Sequence, residues 1–135
     1  MTVQTRKSPN GKLAYTVVVG RNAFTADVSQ ALGGDDLGPD PHDLLDASLA
    51  ACTALTVHMV AVRKQLPLDD VQVSITHVEA DGLYTLNRQI RLVGKLTAEQ
   101  RAYLLGIAEK CPIHKALHGR FEVVTALSAE GATGP

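Results

Sequence analysis

The sequence predicts an α+β fold on three observations. An apolar run of helical length, residues 44–62 (LLDASLAACTALTVHMVAV), lies between two regions where apolar residues recur at every second position. A capping-box tetrapeptide, Thr97-Ala98-Glu99-Gln100, opens a second helix well downstream. Strands thus come in pairs on either side of the long helix, rather than alternating singly with helices as a parallel α/β sheet requires. The predicted order is ββ, α, ββ, αα, β.

Residues 13–19 and 23–29 are rich in strand formers and flank Gly20-Arg21-Asn22, a hairpin signal. The stretch Gly33-Gly34-Asp35-Asp36-Leu37-Gly38 reads as a loop. Asp40 suits the N-cap of the long helix and Pro41 its first position, where no N–H is needed. Asp43 can close that cap and complement the helix dipole. The apolar run is long enough to be tested as a membrane span. Asp46 and His58 lie inside it with Ser48, Thr53 and Thr56, and a central charge costs about 2.5–3.5 kcal/mol in hydrocarbon. It is expected to be a buried helix of a soluble protein, apolar around most of its circumference. Arg63-Lys64 suit its negative end, and Pro67 stops it.

Val71, Val73, Ile75 and His77 alternate with Gln72, Ser74 and Thr76 as a half-buried strand, and Asp81-Gly82 turns the chain. Leu86, Ile90, Leu92 and Leu96 continue the alternation on a returning strand that Arg88 interrupts. The second helix is expected to run through Lys110. Pro112 then disfavours helical geometry at Cys111 and can itself open a short helix to Leu117, ended by Gly119. Phe121, Val123, Thr125 and Leu127 predict a last strand, and residues 129–135 a frayed tail. The chain reads as one domain, residues 1–135, with an ordered core of about 12–128.

Composition narrows the function. With 45% hydrophobic and 20% charged residues the chain is globular rather than disordered. A net charge of −1 creates no basic field to gather phosphates, and no Trp is present to stack on bases, so no nucleic-acid partner is expected. The first eleven residues, MTVQTRKSPNG, hold no apolar run, so the expectation is a cytoplasmic protein without a secretory signal or membrane attachment. In a reducing compartment its two cysteines ask for a chemical role rather than a disulfide staple.

The two thiols stand in contrasting settings. Cys111 precedes Pro112 and so lies at a helix N-terminus, where the dipole and free N–H groups favour a thiolate. Cys52 lies inside the apolar helix, where desolvation disfavours one. Local physics alone names Cys111 as the reactive thiol and treats Cys52 as a small hydrophobe. Cys111-x-x-His114-x-x-x-His118 could hold zinc with Cys52. Pro112 bends the chain between the first two ligands, however, and no second close ligand pair exists, so no metal is expected. His114 reads as a partly exposed helix-terminal residue, His77 as a core or interface histidine, and His58 as lying on a different helix face from Cys52. No nucleophile elbow, P-loop or dinucleotide fingerprint occurs, so no cofactor is expected.

Gly38-Pro39-Asp40-Pro41, Leu44-Leu45 and Ala50-Ala51-Cys52, followed by Ala108-Glu109-Lys110-Cys111-Pro112-Ile113-His114, resemble the two cysteine motifs of the OsmC/Ohr family of thiol peroxidases. The match in element order covers roughly residues 12–128. The resemblance implies an OsmC-like fold built as an intertwined homodimer, with long central helices packed back to back against β-sheets from both chains. It implies that Cys52 is the peroxidatic thiol, which attacks an organic hydroperoxide, releases an alcohol and becomes a sulfenic acid. Cys111 is then the resolving thiol, and an external dithiol such as a dihydrolipoyl protein reduces the Cys52–Cys111 disulfide. This order reverses the local inference and calls for a cation beside Cys52. In the family it is an arginine from an early segment, held by a glutamate near the start of the central helix. Arg21 is the candidate here. His42 stands ten residues before Cys52, where that glutamate is expected, and the nearest carboxylate is Asp43.

The implied activity is a cytoplasmic hydroperoxide reductase of the oxidative stress response. Organic substrates are favoured because apolar surroundings reward each buried methylene by about 0.8 kcal/mol. Two other readings stand beside it: a non-enzymatic dimer that binds an apolar small molecule with the cysteines as packing, and a zinc-binding protein of the same fold.

Overall fold

A computed structural model describes residues 2–129. Its elements are β1 (Val3–Lys7), β2 (Tyr15–Val19), β3 (Asn22–Ala26), α1 (Pro41–Arg63), β4 (Leu68–Ala80), β5 (Leu83–Gly94), α2 (Ala98–Ala108) and α3 (Pro112–Leu117). The fold is α+β, as the paired strands predicted. The described chain gathers into two compact units, one up to Leu44 and again from Val123, the other Leu45–Glu122.

In the first unit β1, β2 and β3 form an antiparallel sheet in that order, with Val3 opposite Val19 and Tyr15 opposite Ala26. Gly20 takes a φ of 59° in the two-residue turn that joins β2 to β3. Strand β1 was not expected: every residue of VQTRK is exposed, so it carries no apolar alternation and is recruited by its ladder with β2. The loop after β3 winds around Asp27. Its carboxylate accepts N–H bonds from Val28 at 2.7 Å, Leu37 at 3.1 Å and Asp35 at 3.2 Å. A Cβ on Gly38 would lie 1.9 Å from the Thr25 carbonyl oxygen, so the loop closes only with glycine there. The α1 cap forms as predicted, with Asp43 N–H donating to Asp40 at 2.9 Å and Asp40 N–H to Asp43 at 3.2 Å.

The second unit is organised by α1, the β4–β5 hairpin and α2. Helix α1 ends where Gln65 adopts a φ of 56° and Leu66 N–H reaches back to the Ala61 carbonyl, a left-handed stop that needs no glycine here. Asp81 and Gly82, at φ 53° and 77°, form the tight turn between β4 and β5. The pairing of Val73 with Ile90 and Ile75 with Arg88 puts both apolar phases on one face. Thr97 and Gln100 cap α2 reciprocally, and Arg101 ties it to the Leu92 and Gly94 carbonyls. Val57, Ala61, Leu104 and Ala108 form the buried core, with Val71, Ile90 and Leu92 packed against it.

Two expectations fail. Helix α1 buries only the stripe Leu49, Thr53, Val57 and Ala61. Leu55 and Val62 are 63% and 66% exposed, with Met59 between them, because one hairpin and one short helix cover a single face. The helix is also long and apolar enough to cross a membrane, although Asp46 within it is bonded inside the unit. The predicted last strand does not form: residues 120–129 hold no regular element, and Phe121 and Leu127 are 71% and 96% exposed. Alternation supplies a face but not a ladder, and no described strand pairs with this segment. The predicted frayed tail lies outside the described residues from position 130 onward.

The Asp27 knot makes the first unit acid-sensitive. Its N–H donors, Val28 first, hold the carboxyl below its ordinary value of 3.8, with Lys7 adding to the effect against the cost of burial. A depressed carboxyl contributes stability that is complete above the unfolded value and is lost as pH falls through the folded one. Asp27→Asn keeps one acceptor but turns an amide N–H toward Asp35 and Leu37. Urea unfolding at a series of pH values should show the variant less stable at neutrality, with the gap closing as pH falls below 3.8.

Candidate functional site

The first turn of α3 joins two distant cysteines. Pro112 occupies the first helical position and needs no acceptor, which leaves the following amides as unpaired donors of the helix end. Ile113 N–H donates to Cys52 Sγ at 3.4 Å, and His114 N–H donates to Cys111 Sγ at 3.3 Å. Cys111 therefore caps its own helix with sulfur, while Cys52 reaches the same turn from α1. Their exposure differs: Cys111 is fully buried, whereas Cys52 keeps part of its surface in solvent. The Thr56 hydroxyl lies 3.9 Å from Cys52 Sγ.

A buried cation stands beside this turn. Arg88 occupies the inward phase of β5 among Leu86, Ile90 and Leu92, and its side chain is only 11% exposed. One terminal nitrogen, Nη1, donates to Thr53 Oγ1 at 3.0 Å and to the Ala108 carbonyl at 3.4 Å. The other, Nη2, bonds His114 Nδ1 at 3.2 Å and lies 3.7 Å from Glu109 Oε2. His114 Nε2 is 3.2 Å from that same carboxylate. A guanidinium only donates, so His114 Nδ1 must accept, and the ring proton belongs on Nε2, facing Glu109. Burial pushes the His114 pKa below its ordinary 6.5. Arg88 and His118 act in the same direction, and Glu109 opposes them. His114 is thus a neutral link between a cation and an anion.

These groups border a cavity of about 550 Å³ whose apolar walls include Leu49, Leu86 and Leu117, and which Arg88, Glu109 and His114 line with polar atoms. Tyr84, also on its wall, donates its hydroxyl to Asp46 at 3.0 Å, while His77 bonds the other Asp46 oxygen and stacks on Tyr84. His77, expected in a core or interface, thus ties β4 to α1. The site is an amphipathic pocket lined by a desolvated arginine, and His114, which that arginine bonds, belongs to the turn whose amides meet the two cysteine sulfurs.

Cys52 and Cys111 are brought together from positions 59 residues apart in sequence. Arg21 lies in the exposed β2–β3 turn of the first unit, and Asp43 serves the α1 cap. His42 is exposed at the start of α1. Sequence reasoning passed over Arg88, Glu109 and the bonding of His114. A signal for Arg88 was present, because a charge in the buried phase of an alternating strand must find partners. Glu109 and His114 carried no such mark. Among the described residues, no three His, Cys, Asp or Glu side chains gather as a metal-ligand group, and Cys111, His114 and His118 are engaged instead in the cap, the Arg88 link and a ring stack at 4.5 Å.

No curated protein matches the sequence closely enough to count as a relative. Solved structures do share its fold. The OsmC-like protein of Mycoplasma pneumoniae aligns with a TM-score of 0.69 at 19% identity, over 88% of this chain and 89% of that one. The organic hydroperoxide resistance protein OsmC of Legionella pneumophila aligns with a TM-score of 0.61 at 21% identity, over 88% and 90%. The organic hydroperoxide resistance protein OhrB of Bacillus subtilis is 26% identical over 88% and 92%, with a TM-score of 0.55. The sequence pattern of the OsmC-like protein family itself matches residues 33–126, a span that holds α1, both cysteines, the hairpin and α3. The chain belongs to the OsmC-like protein family.

Proposed function

We propose that the protein is a thiol-dependent reductase of organic hydroperoxides. The observation that carries this reading is the pair of neighbouring amides, Ile113 and His114, each donating to a different cysteine sulfur. Family membership and the naming of similar structures for organic hydroperoxide resistance support a peroxide-related redox role. Cys52, with solvent access, takes the peroxidatic part, and fully buried Cys111 the resolving part. This order departs from what local physics suggests for each cysteine alone. The same helix turn serves both sulfurs, so the N–H donors expected for Cys111 are shared with Cys52.

In the first step the Cys52 thiolate attacks the terminal oxygen of R–O–O–H. A sulfur–oxygen bond forms, the O–O bond breaks, sulfur is oxidised to a sulfenic acid, and the alkoxide takes up the proton that the thiol released. In the second step the Cys111 thiolate displaces hydroxide from that sulfur, and water and a disulfide result. An external dithiol, such as a dihydrolipoyl group, closes the cycle by exchange. The apolar walls of the 550 Å³ cavity suit an alkyl or aryl group better than hydrogen peroxide, which has nothing to bury.

The same reading includes a homodimer. Leu55, Met59 and Val62 recur at four- and three-residue spacing on the uncovered face of α1, and this stripe within one unit asks for a covering surface. A second copy of the helix would cover it.

Thiol counting by mass spectrometry tests the chemistry directly. One equivalent of cumene hydroperoxide should remove both thiols of the reduced protein and yield a Cys52–Cys111 disulfide. Cys111→Ser should stop at a sulfenic acid that dimedone traps, and Cys52→Ser should consume no peroxide. Two intact thiols in the treated wild type would overturn the proposal. Sedimentation tests the dimer: the wild type should run at twice the chain mass, and Met59→Glu should run as a monomer, because an unpaired charge in a packed helix interface costs several kcal/mol, about 3–5.

A further inference from the structure

The guanidinium of Arg88 is placed for more than packing. It is nearly sealed from solvent, yet it lines the cavity. Its hydrogen bonds to Thr53, Ala108 and His114 occupy three of its five N–H groups, and Glu109 at 3.7 Å is an ion-pair partner beyond hydrogen-bond length. Among the described residues the cation is therefore fixed in place with donors remaining for a bound molecule. Its fixation comes from three segments at once: α1 through Thr53, the end of α2 through Ala108, and α3 through His114. Thr53 adjoins Cys52 in sequence, and His114 follows the residue whose amide meets the Cys52 sulfur. A polar head bound at Arg88 thus lies beside the turn whose Ile113 amide meets the Cys52 sulfur, with its apolar remainder toward Leu49, Leu86 and Leu117.

Resting on the peroxidase reading, we propose that Arg88 is the residue that receives the hydroperoxide, with His114 as its positioning residue and Glu109 as the anchor of His114. Arg88 holds the two peroxide oxygens and carries the charge that builds on the leaving oxygen as the O–O bond breaks. The Cys52 sulfur gains the terminal oxygen, and the departing alkoxide leaves as alcohol once it takes up the proton that the thiol released. Electrostatic donors fixed before the reaction need no rearrangement as that charge develops. His114 can do its part only while neutral. Once Nδ1 takes a proton it turns from acceptor to donor and opposes Arg88, so the link breaks. The charged and titratable groups that face His114 are Arg88 from β5, Glu109 after α2, and His118 and Cys111 from the α3 segment. Burial, Arg88 and His118 delay protonation to below the ordinary value of 6.5, so the arrangement persists at neutral pH and fails on its acid side.

The test compares the wild type with Arg88→Lys, His114→Asn and Arg21→Gln. Each is assayed for cumene hydroperoxide consumption with excess dithiol from about pH 5 to 8, with folding followed by circular dichroism. Lysine keeps the charge but not the fork, and kcat/KM should fall by about 100-fold. Asparagine offers an acceptor in place of Nδ1 but does not titrate. His114→Asn should therefore show a shallower acid limb than the wild type below pH 6.5, because one titrating group fewer switches the site off. Full activity in Arg88→Lys, or a loss confined to Arg21→Gln, overturns the assignment of Arg88 while an active wild type leaves the peroxidase reading standing. A wild type that consumes no hydroperoxide overturns both. If Arg88→Lys does not fold, the His114→Asn profile decides: an unchanged acid limb refutes the positioning role.

Discussion

One guanidinium holds the second unit's functional end together. Arg88 joins α1, the end of α2 and α3 through Thr53, Ala108 and His114, and each of those bonds spans elements that share no local sequence. Removing a cation from water costs several kcal/mol unless it is bonded and compensated. Here the compensation comes from two neutral oxygens, one neutral imidazole and a carboxylate at ion-pair distance. The charge of Glu109 reaches Arg88 directly and again through the His114 ring, whose two nitrogens must take opposite roles. That requirement sets the protonation state of the imidazole, and it makes the placement of α3 depend on Arg88.

The placement of α3 in turn decides what the cysteines are. A helix N-terminus offers unpaired N–H groups to whatever acceptor stands before it. In this chain the acceptors are sulfurs, one supplied by the capping residue and one by a helix that precedes it by many residues. Cys52 would otherwise be a small side chain of an apolar helix. Cys111 would otherwise be an unusual cap. Their convergence on adjacent amides makes them neighbours, and the proposed order of reaction rests on the difference in their exposure.

The chain also presents surfaces that its own second unit does not cover. Helix α1 is long because its length is used twice: Leu49, Thr53, Val57 and Ala61 face the hairpin and α2, and Leu55, Met59 and Val62 face outward. A helix with two apolar faces has too little partner surface within its own unit. The proposed dimer gives the second face its use.

Most of the secondary structure was legible in the sequence because its signals are local. Asp40, Pro41 and Asp43 start α1, Asp81-Gly82 turns the hairpin, Thr97 and Gln100 cap α2, and Pro112 divides α2 from α3; each acts within about four residues of chain. The two cysteines stood out as candidates, but local physics pointed to Cys111 alone, and their meeting at one turn was not encoded near either of them. Strand β1 was not, because exposed VQTRK has no phase to read and its ladder partner lies beyond a loop. The alternating tail misled for the opposite reason, having a phase but no described partner. The polar half of the site belonged to tertiary structure alone. Arg88 showed itself in sequence only as an interruption, and its bonds to Thr53, Glu109 and His114 arise where β5, α1 and the α2–α3 corner meet. Charge pairing of that kind depends on distance in space, which local propensity and spacing along the chain do not encode.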